Sequence, residues 1–281
     1  MQLSRPPVVP PGLDAAATTQ SLLYVSNLAT NDVDIFSYPE GKVVGKITEI
    51  GRPRGECADA AGNVWIADVQ AFQVVEYSHG ASKPVAALST FGAPRGCSVD
   101  PRIDNLAVSG GANGTILSVY HRSTRGIWRD PRRYSDTSIR TAYFCGYDAA
   151  GNLFIDGTSA DGDFRLAELP RGARALVNLT VSQSIAAPGQ VQWDGKYVTV
   201  GDAGVSPSVL YRFSIGARTA TKVGSTILQK TAKLQQYWIQ AKTVIAADDE
   251  SRVGLWKYPE GGSPAKTFGS LRAYAAAVSL P

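Results

Sequence analysis

The chain has 281 residues, with 28 Lys and Arg against 24 Asp and Glu and a net charge of +4. It contains no apolar run of the roughly 18 residues that a membrane-spanning helix needs, and no long amphipathic helix stands out. Its 28 Gly and 16 Pro punctuate the chain often enough to break it into short strands rather than helices.

Residues 1–20, RPPVVPPG followed by DAAATTQ, read as a disordered or extended leader. No signal peptide precedes them, although a mature N-terminus would look the same. The folded domain is expected over 21–281. It opens with Ser21-Leu22-Leu23-Tyr24-Val25-Ser26, whose apolar alternation fits a strand. The turn Tyr38-Pro39-Glu40-Gly41 follows and returns intact as Tyr258-Pro259-Glu260-Gly261.

Weaker copies of that turn lie between the two. The aromatic or apolar residue that opens each copy recurs at Tyr38, Tyr77, Tyr120, Leu169, Phe213 and Tyr258, a period of roughly 40 to 50 residues. A second landmark lies upstream of the later copies: Gly55-Glu56-Cys57-Ala58-Asp59, Gly96-Cys97-Ser98-Val99-Asp100, Cys145-Gly146-Tyr147-Asp148 and Val191-Gln192-Trp193-Asp194. Asp-x-x-Gly-Asn stretches at Asp59 and Asp148 suit tight turns, because Asp and Asn bond the local backbone and Gly accepts positive φ. The strand after each turn is apolar on both faces (Val64, Trp65, Ile66, Ala67), as expected of one packed between neighbouring sheets.

Short strands at this period predict an all-β fold, a six-bladed β-propeller of four-stranded blades. The first unit lacks an innermost strand, and Tyr274-Ala275-Ala276-Ala277-Val278-Ser279 supplies one at the other end of the chain. The ring is therefore expected to close by pairing this C-terminal strand with the N-terminal blade, which removes an open edge.

The segment Pro53 to Asp68 (Pro-x-Gly, then apolar-x-x-Asp-x-x-Gly-Asn-aromatic-apolar-Ala-Asp) resembles the NHL repeat. The chain from 21 to 281 also looks like the wider group of six-bladed propellers that includes gluconolactonase-type lactonases and strictosidine-synthase-like proteins. It is most similar to uncharacterised bacterial extracytoplasmic NHL-like proteins, through LLYVSN at Leu22, ECAD at Glu56 and GCSVD at Gly96. The resemblance implies a secreted or periplasmic location. In the lactonases a Glu at the start of an innermost strand helps to hold a divalent cation. Alignment puts Arg54, Arg95, Tyr143, Gly189 and Gln235 at that place, and a guanidinium is no metal ligand.

The candidate sites follow from the same alignment. An enzyme reading rests on Glu56, Asp68 and Asp156 as channel carboxylates, with Asp202, Asp248 and Asn27 at comparable strand ends, and calcium as the ion such oxygens would take. The competing reading, that these groups cap turns and strand ends, is preferred, so no cofactor or metal is expected. Only two histidines exist, His79 and His121, both in outer turns, which leaves a channel nucleophile without a His base. The favoured function is non-catalytic binding. Arg54, Arg95, Tyr143, Gln190 and Gln235 line the channel mouth and take a small polar or anionic ligand or a protein partner.

The cysteines Cys57, Cys97 and Cys145 sit on consecutive innermost strands, so a Cys57–Cys97 or a Cys97–Cys145 disulfide is feasible, as are buried thiols. The arginines at 122, 125, 129, 132, 133 and 140, interleaved with Trp128 and Tyr134, could contact a nucleic acid. A solvated outer strand accounts for them equally, and nucleic acid is not the expected partner. A monomer is expected.

Overall fold

The computed structural model describes residues 19–112, 114–123, 125–248, 252–269 and 272–281. The expected leader therefore lies almost wholly outside the described residues. The described chain is all β. Its strands pair in antiparallel groups of four, written from the innermost strand outwards. Blade 1 is β24 (Ala273–Ser279), β1 (Leu22–Asn27), β2 (Asp32–Ser37) and β3 (Val43–Ile47). Blade 2 is β4 (Pro53–Ala58), β5 (Val64–Asp68), β6 (Gln73–Tyr77) and β7 (Pro84–Ser89). Blade 3 is β8 (Pro94–Val99), β9 (Leu106–Gly110), β10 (Leu117–Tyr120) and β11 (Arg132–Tyr134).

Blade 4 is β12 (Thr141–Tyr147), β13 (Leu153–Thr158), β14 (Phe164–Leu169) and β15 (Val177–Val181). Blade 5 is β16 (Pro188–Trp193), β17 (Val198–Asp202), β18 (Ser208–Ile215) and β19 (Thr219–Leu228). Blade 6 is β20 (Leu234–Gln240), β21 (Thr243–Asp248), β22 (Val253–Lys257) and β23 (Gly261–Phe268). These 24 strands fit a six-bladed propeller. The outer strands of blades 4, 5 and 6 are further joined by short parallel pairings, Thr180 with Thr219 and Leu228 with Gly262.

The middle strands carry apolar residues on both faces because each blade is covered on both sides. Every residue of β1, β2 and β5 is buried, whereas β7, at an outer rim, is largely exposed. Separate hydrophobic clusters fill the seams between blades. Leu22, Tyr24, Val64 and Ile66 lie between blades 1 and 2, and Leu23, Phe36, Val253 and Val278 between blades 6 and 1. Burying aromatic and branched side chains at about 25 cal/mol per Å² is what holds the units together.

The innermost strands touch in the order β24, β4, β8, β12, β16, β20 and back to β24. β24 pairs with β1 from Leu22↔Ser279 to Asn27↔Ala273. His79, in the outer turn of blade 2, reinforces this junction. Its Nδ1 lies 2.6 Å from Ser279 Oγ and its Nε2 3.1 Å from Gln20 O, one partner from each end of the described chain. The two YPEG turns share one backbone conformation, with a cis peptide before Pro39 and Pro259 and positive φ at Gly41 and Gly261 (70° and 72°).

Candidate functional site: a bulged ring at the channel mouth

Each innermost strand breaks register with its neighbour once, near its N-terminal end. In β4, Pro53 faces Asp68 and Glu56 faces Ile66, so Arg54 and Gly55 together oppose Ala67. The same two-against-one arrangement places Tyr143 and Phe144 opposite Asp156, Gly189 and Gln190 opposite Gly201, and Gln235 and Gln236 opposite Ala247. Arg95 and Tyr274 are single extra residues in β8 and β24. A β-bulge bends the strand and re-aims a side chain. Six bulges at one level give a ring that reads, in blade order, Tyr274, Arg54, Arg95, Tyr143, Gly189 and Gln235.

Within this ring the four residues of blades 1 to 4 form an arc. The Arg54 guanidinium lies 4.8 Å from the Tyr274 ring centroid, and that of Arg95 lies 4.7 Å from the Tyr143 ring. Cation–π contacts of this length hold the guanidinium planes against the rings. The two arginines are on strands in direct contact. A Cβ on Gly55 would fall 2.4 Å from Arg95 O and 2.6 Å from Gly96 Cα, so only Gly permits this approach.

The next layer down carries a strut between blades. Gln236 reaches from blade 6 past β24 to β4, where its Oε1 accepts from Glu56 N (3.0 Å) and its Nε2 donates to Glu56 O. Below this strut the Glu56 side chain is fully buried, and Ser26 Oγ donates to its Oε1 at 2.6 Å. Its Oε2 is buried with no hydrogen-bond partner. Burial pushes this carboxyl up to about 8, against a smaller opposing effect of the Ser26 hydrogen bond, so it carries its proton at neutral pH.

The other carboxylates of the enzyme reading do different work. Asp68 accepts from the amides of Gly51 and Arg52 at 3.1 and 3.0 Å, and from Gln70 at 3.1 Å. It therefore ties down the loop that enters β4. Asp202 holds Ala186 and Ala187, and Asp248 holds Ala232 and Lys233, in the same way.

Asp156 departs from the sequence alignment, which set it beside Asp68 as a strand end. The residue equivalent to Asp68 is Gly157, and Asp156 lies one place earlier, on the opposite face. There it accepts from Phe144 N at 2.8 Å, leaves Oδ2 without a partner, and is driven well above the usual carboxylate range by burial. Among the described residues no three His, Cys, Asp or Glu side chains come together. Among the described residues Asp68, Asp202 and Asp248 bond backbone amides and Glu56 lies under the Gln236 strut, so these side chains do not converge as the oxygens around a hard cation would.

Gln190 is likewise one step deeper than Arg54. The first bulge residue of its strand is Gly189, and the Gln190 amide is buried, donating to Val191 O at 3.1 Å. Three participants escaped the sequence reading: Tyr274, Ser26 and Gln236. Tyr274 was recoverable by carrying the Arg54 alignment into the closing strand. The Ser26 and Gln236 contacts cross between blades and have no signal in the repeat.

The structure pairs Cys57 with Cys97, Cα to Cα 5.6 Å, and leaves Cys145 a buried thiol. The register explains the choice. Glu56, Cys97 and Cys145 occupy equivalent positions and turn to the preceding blade, while Cys57 is one residue later and turns to the following one. Cys97 and Cys145 therefore face the same way round the ring and cannot meet. The arginine-rich segment of blade 3 folds onto its own aromatics: Arg122 lies over Trp128, Arg132 over Tyr134 and Arg133 over Phe91.

No family model matches the chain, and no curated protein matches it in sequence. Solved structures share its fold. A chain of the crystallised nidogen/laminin complex superposes with a TM-score of 0.74 at 13% identity, covering 92% of this chain and 98% of that one. A functionally unknown protein from Desulfotomaculum acetoxidans gives 0.64 at 11%, covering 92% and 99%. The β-propeller domain of Cps50 (Swd1) from Myceliophteria thermophila gives 0.59 at 11%, covering 91% and 88%. At these identities the likeness establishes the fold, a β-propeller.

Proposed function

We propose that the chain is a non-catalytic binding propeller, six-bladed and closed by β24, of the NHL-like kind, and that the bulged ring is its recognition site for a small anionic ligand. The observation that carries the reading is the Tyr274–Arg54–Arg95–Tyr143 arc. Two guanidiniums on touching strands, each braced by an aromatic face, concentrate positive charge that suits carboxylate or phosphate oxygens. Ordering these side chains costs nothing further on binding, which is how a rigid concave mouth gains affinity. A carboxylate-bearing ligand such as a sugar acid or citrate matches the paired geometry best.

A protein partner presenting an acidic side chain would use the same arc, and one fold neighbour was crystallised within a protein complex. The Cys57–Cys97 bridge supports an extracytoplasmic location, since such bonds persist in oxidising compartments. Among the described residues no helix is long and apolar enough to cross a membrane, and a monomer is the assembly we infer.

A thermal-shift series with citrate, gluconate, inorganic phosphate, gluconolactone, calcium and chelator tests this reading. A ligand at a hundred times its Kd stabilises the native state by about 2.7 kcal/mol. The binding reading expects anion-dependent shifts insensitive to chelator. A shift with calcium that chelator abolishes would replace it with the lactonase-type reading centred on Glu56.

A further inference from the structure

The channel has a second mouth, on the face where the innermost strands end, and it holds a cavity of about 240 Å³. Its walls come from β4, β8, β12 and β16 and the turns after them, with Trp238 entering from β20. Trp238 crosses the axis, because it packs against the cluster of blades 2 and 3 that contains Cys57 and Cys97. The Cys57–Cys97 bridge, Val99, Trp193 and Trp238 supply apolar surface, and small residues at Ala58, Ser98, Gly146 and Ala149 leave the space between them. Trp193 and Trp238 are only partly buried, so aromatic faces remain open in a concavity.

The polar groups around this cavity are spent on the protein. Gln192 is clamped to the backbone of blade 6, its Oε1 accepting from Ile239 N (2.8 Å) and its Nε2 donating to Ile239 O (3.3 Å). Ser98 Oγ accepts from Tyr147 N, Trp238 Nε1 donates to Gln240 Oε1, and Asp148 takes the amides of Ala150 and Asn152. Gln190 uses its amide N–H on Val191 O, which leaves its Oε1 as an acceptor for a ligand donor. An uncharged occupant with a flat apolar surface matches these walls, and a charged one does not. An apolar cavity of about 150 Å³ takes one benzene ring, so this one has room for two fused rings.

We infer that this cavity is a second ligand site, separate from the cationic mouth, for a planar uncharged aromatic of one or two rings carrying at most one N–H or O–H donor. Aromatic stacking on Trp193 and Trp238 and contact with the disulfide sulfurs provide the recognition. Gln236 and its bond to the Glu56 backbone lie between the two mouths, so the sites are independent.

Titration of the full chain with benzyl alcohol and 1-indanol, which do not emit in the tryptophan band, tests the inference through tryptophan emission. The expected result is saturable quenching that Arg54→Gln/Arg95→Gln leaves unchanged. Ala149→Trp, at the exposed rim, should weaken it at least tenfold at an unaltered Tm. Linear, non-saturating quenching, or equal affinity in Ala149→Trp, would overturn the site. Should Ala149→Trp lower the Tm, Trp193→Phe and Trp238→Phe decide: loss of most of the saturable signal in both supports the cavity, and an undiminished signal in both refutes it.

Discussion

The two mouths of the channel are built from the same six strands yet differ in chemistry, and the bulge explains why. At the N-terminal ends of the innermost strands the register breaks, at Arg54, Arg95, Tyr143 and Tyr274. At the C-terminal ends pairing is regular, as in Cys57↔Trp65 and Gln192↔Thr199. Side chains there alternate between neighbouring blades, giving an inter-blade disulfide and an aromatic cavity. One extra residue per strand therefore marks off the polar end of these strands from the apolar one, with the Gln236–Glu56 bonds between them.

A large effect is expected at the apolar mouth. Opening the Cys57–Cys97 bridge with the paired Ser variant releases a loop of sequence separation 40, worth about 4 kcal/mol of unfolded-state entropy. Denaturant unfolding should show that loss, and a difference below about 1 kcal/mol would mean that the bridge does not constrain the channel.

The Gln236–Glu56 layer gives the next effect. Because burial raises Glu56 from its ordinary 4.5 to about 8, the native state binds a proton that the unfolded chain releases. Its stabilising contribution is complete below about pH 4.5 and falls as pH rises toward 8, by about 1.4 kcal/mol per pH unit while only the native state stays protonated. Glu56→Gln keeps the acceptor for Ser26, should flatten this part of the profile, and should leave the variant more stable than the parent at pH 8. Asp156 is raised for the same reason and contributes in the same direction, so the difference between parent and Glu56→Gln isolates Glu56.

Gln236→Ala removes the strut and strands a buried N–H and C=O of Glu56, a cost of about 1 to 3 kcal/mol that urea titration would detect. The smallest stability effect is expected at the cationic mouth. Arg54→Gln and Arg95→Gln remove the cation–π contacts to Tyr274 and Tyr143, about 0.5 to 1 kcal/mol each, and should abolish anion binding.

Much of this architecture was legible because turns and strand faces obey local rules. The Asp-x-x-Gly-Asn turns, the apolar middle strands and the recurring YPEG all mark blade positions, and Tyr274 to Ser279 reads as an innermost strand without partners of its own. The mouth was legible in part. Arg54, Arg95, Tyr143 and Gln235 fall on the ring because the alignment held there, while Gln190 and Asp156 each lie one residue from the place assigned to them. A bulge shifts phase by one residue without any change in composition, and the pattern of apolar residues continues across it. Inter-blade contacts such as Gln236 with Glu56 depend on three-dimensional closure, which no repeat encodes.

The most direct test of the central claim, that the bulges aim Arg54 and Arg95 into a binding mouth, is calorimetric titration of citrate into the parent chain, Arg54→Gln/Arg95→Gln and Glu56→Gln at low and moderate salt. The account predicts binding by the parent and by Glu56→Gln with similar affinity, weakening as salt rises, and none by the arginine pair variant. Binding that survives in the arginine pair variant but disappears in Glu56→Gln would contradict it.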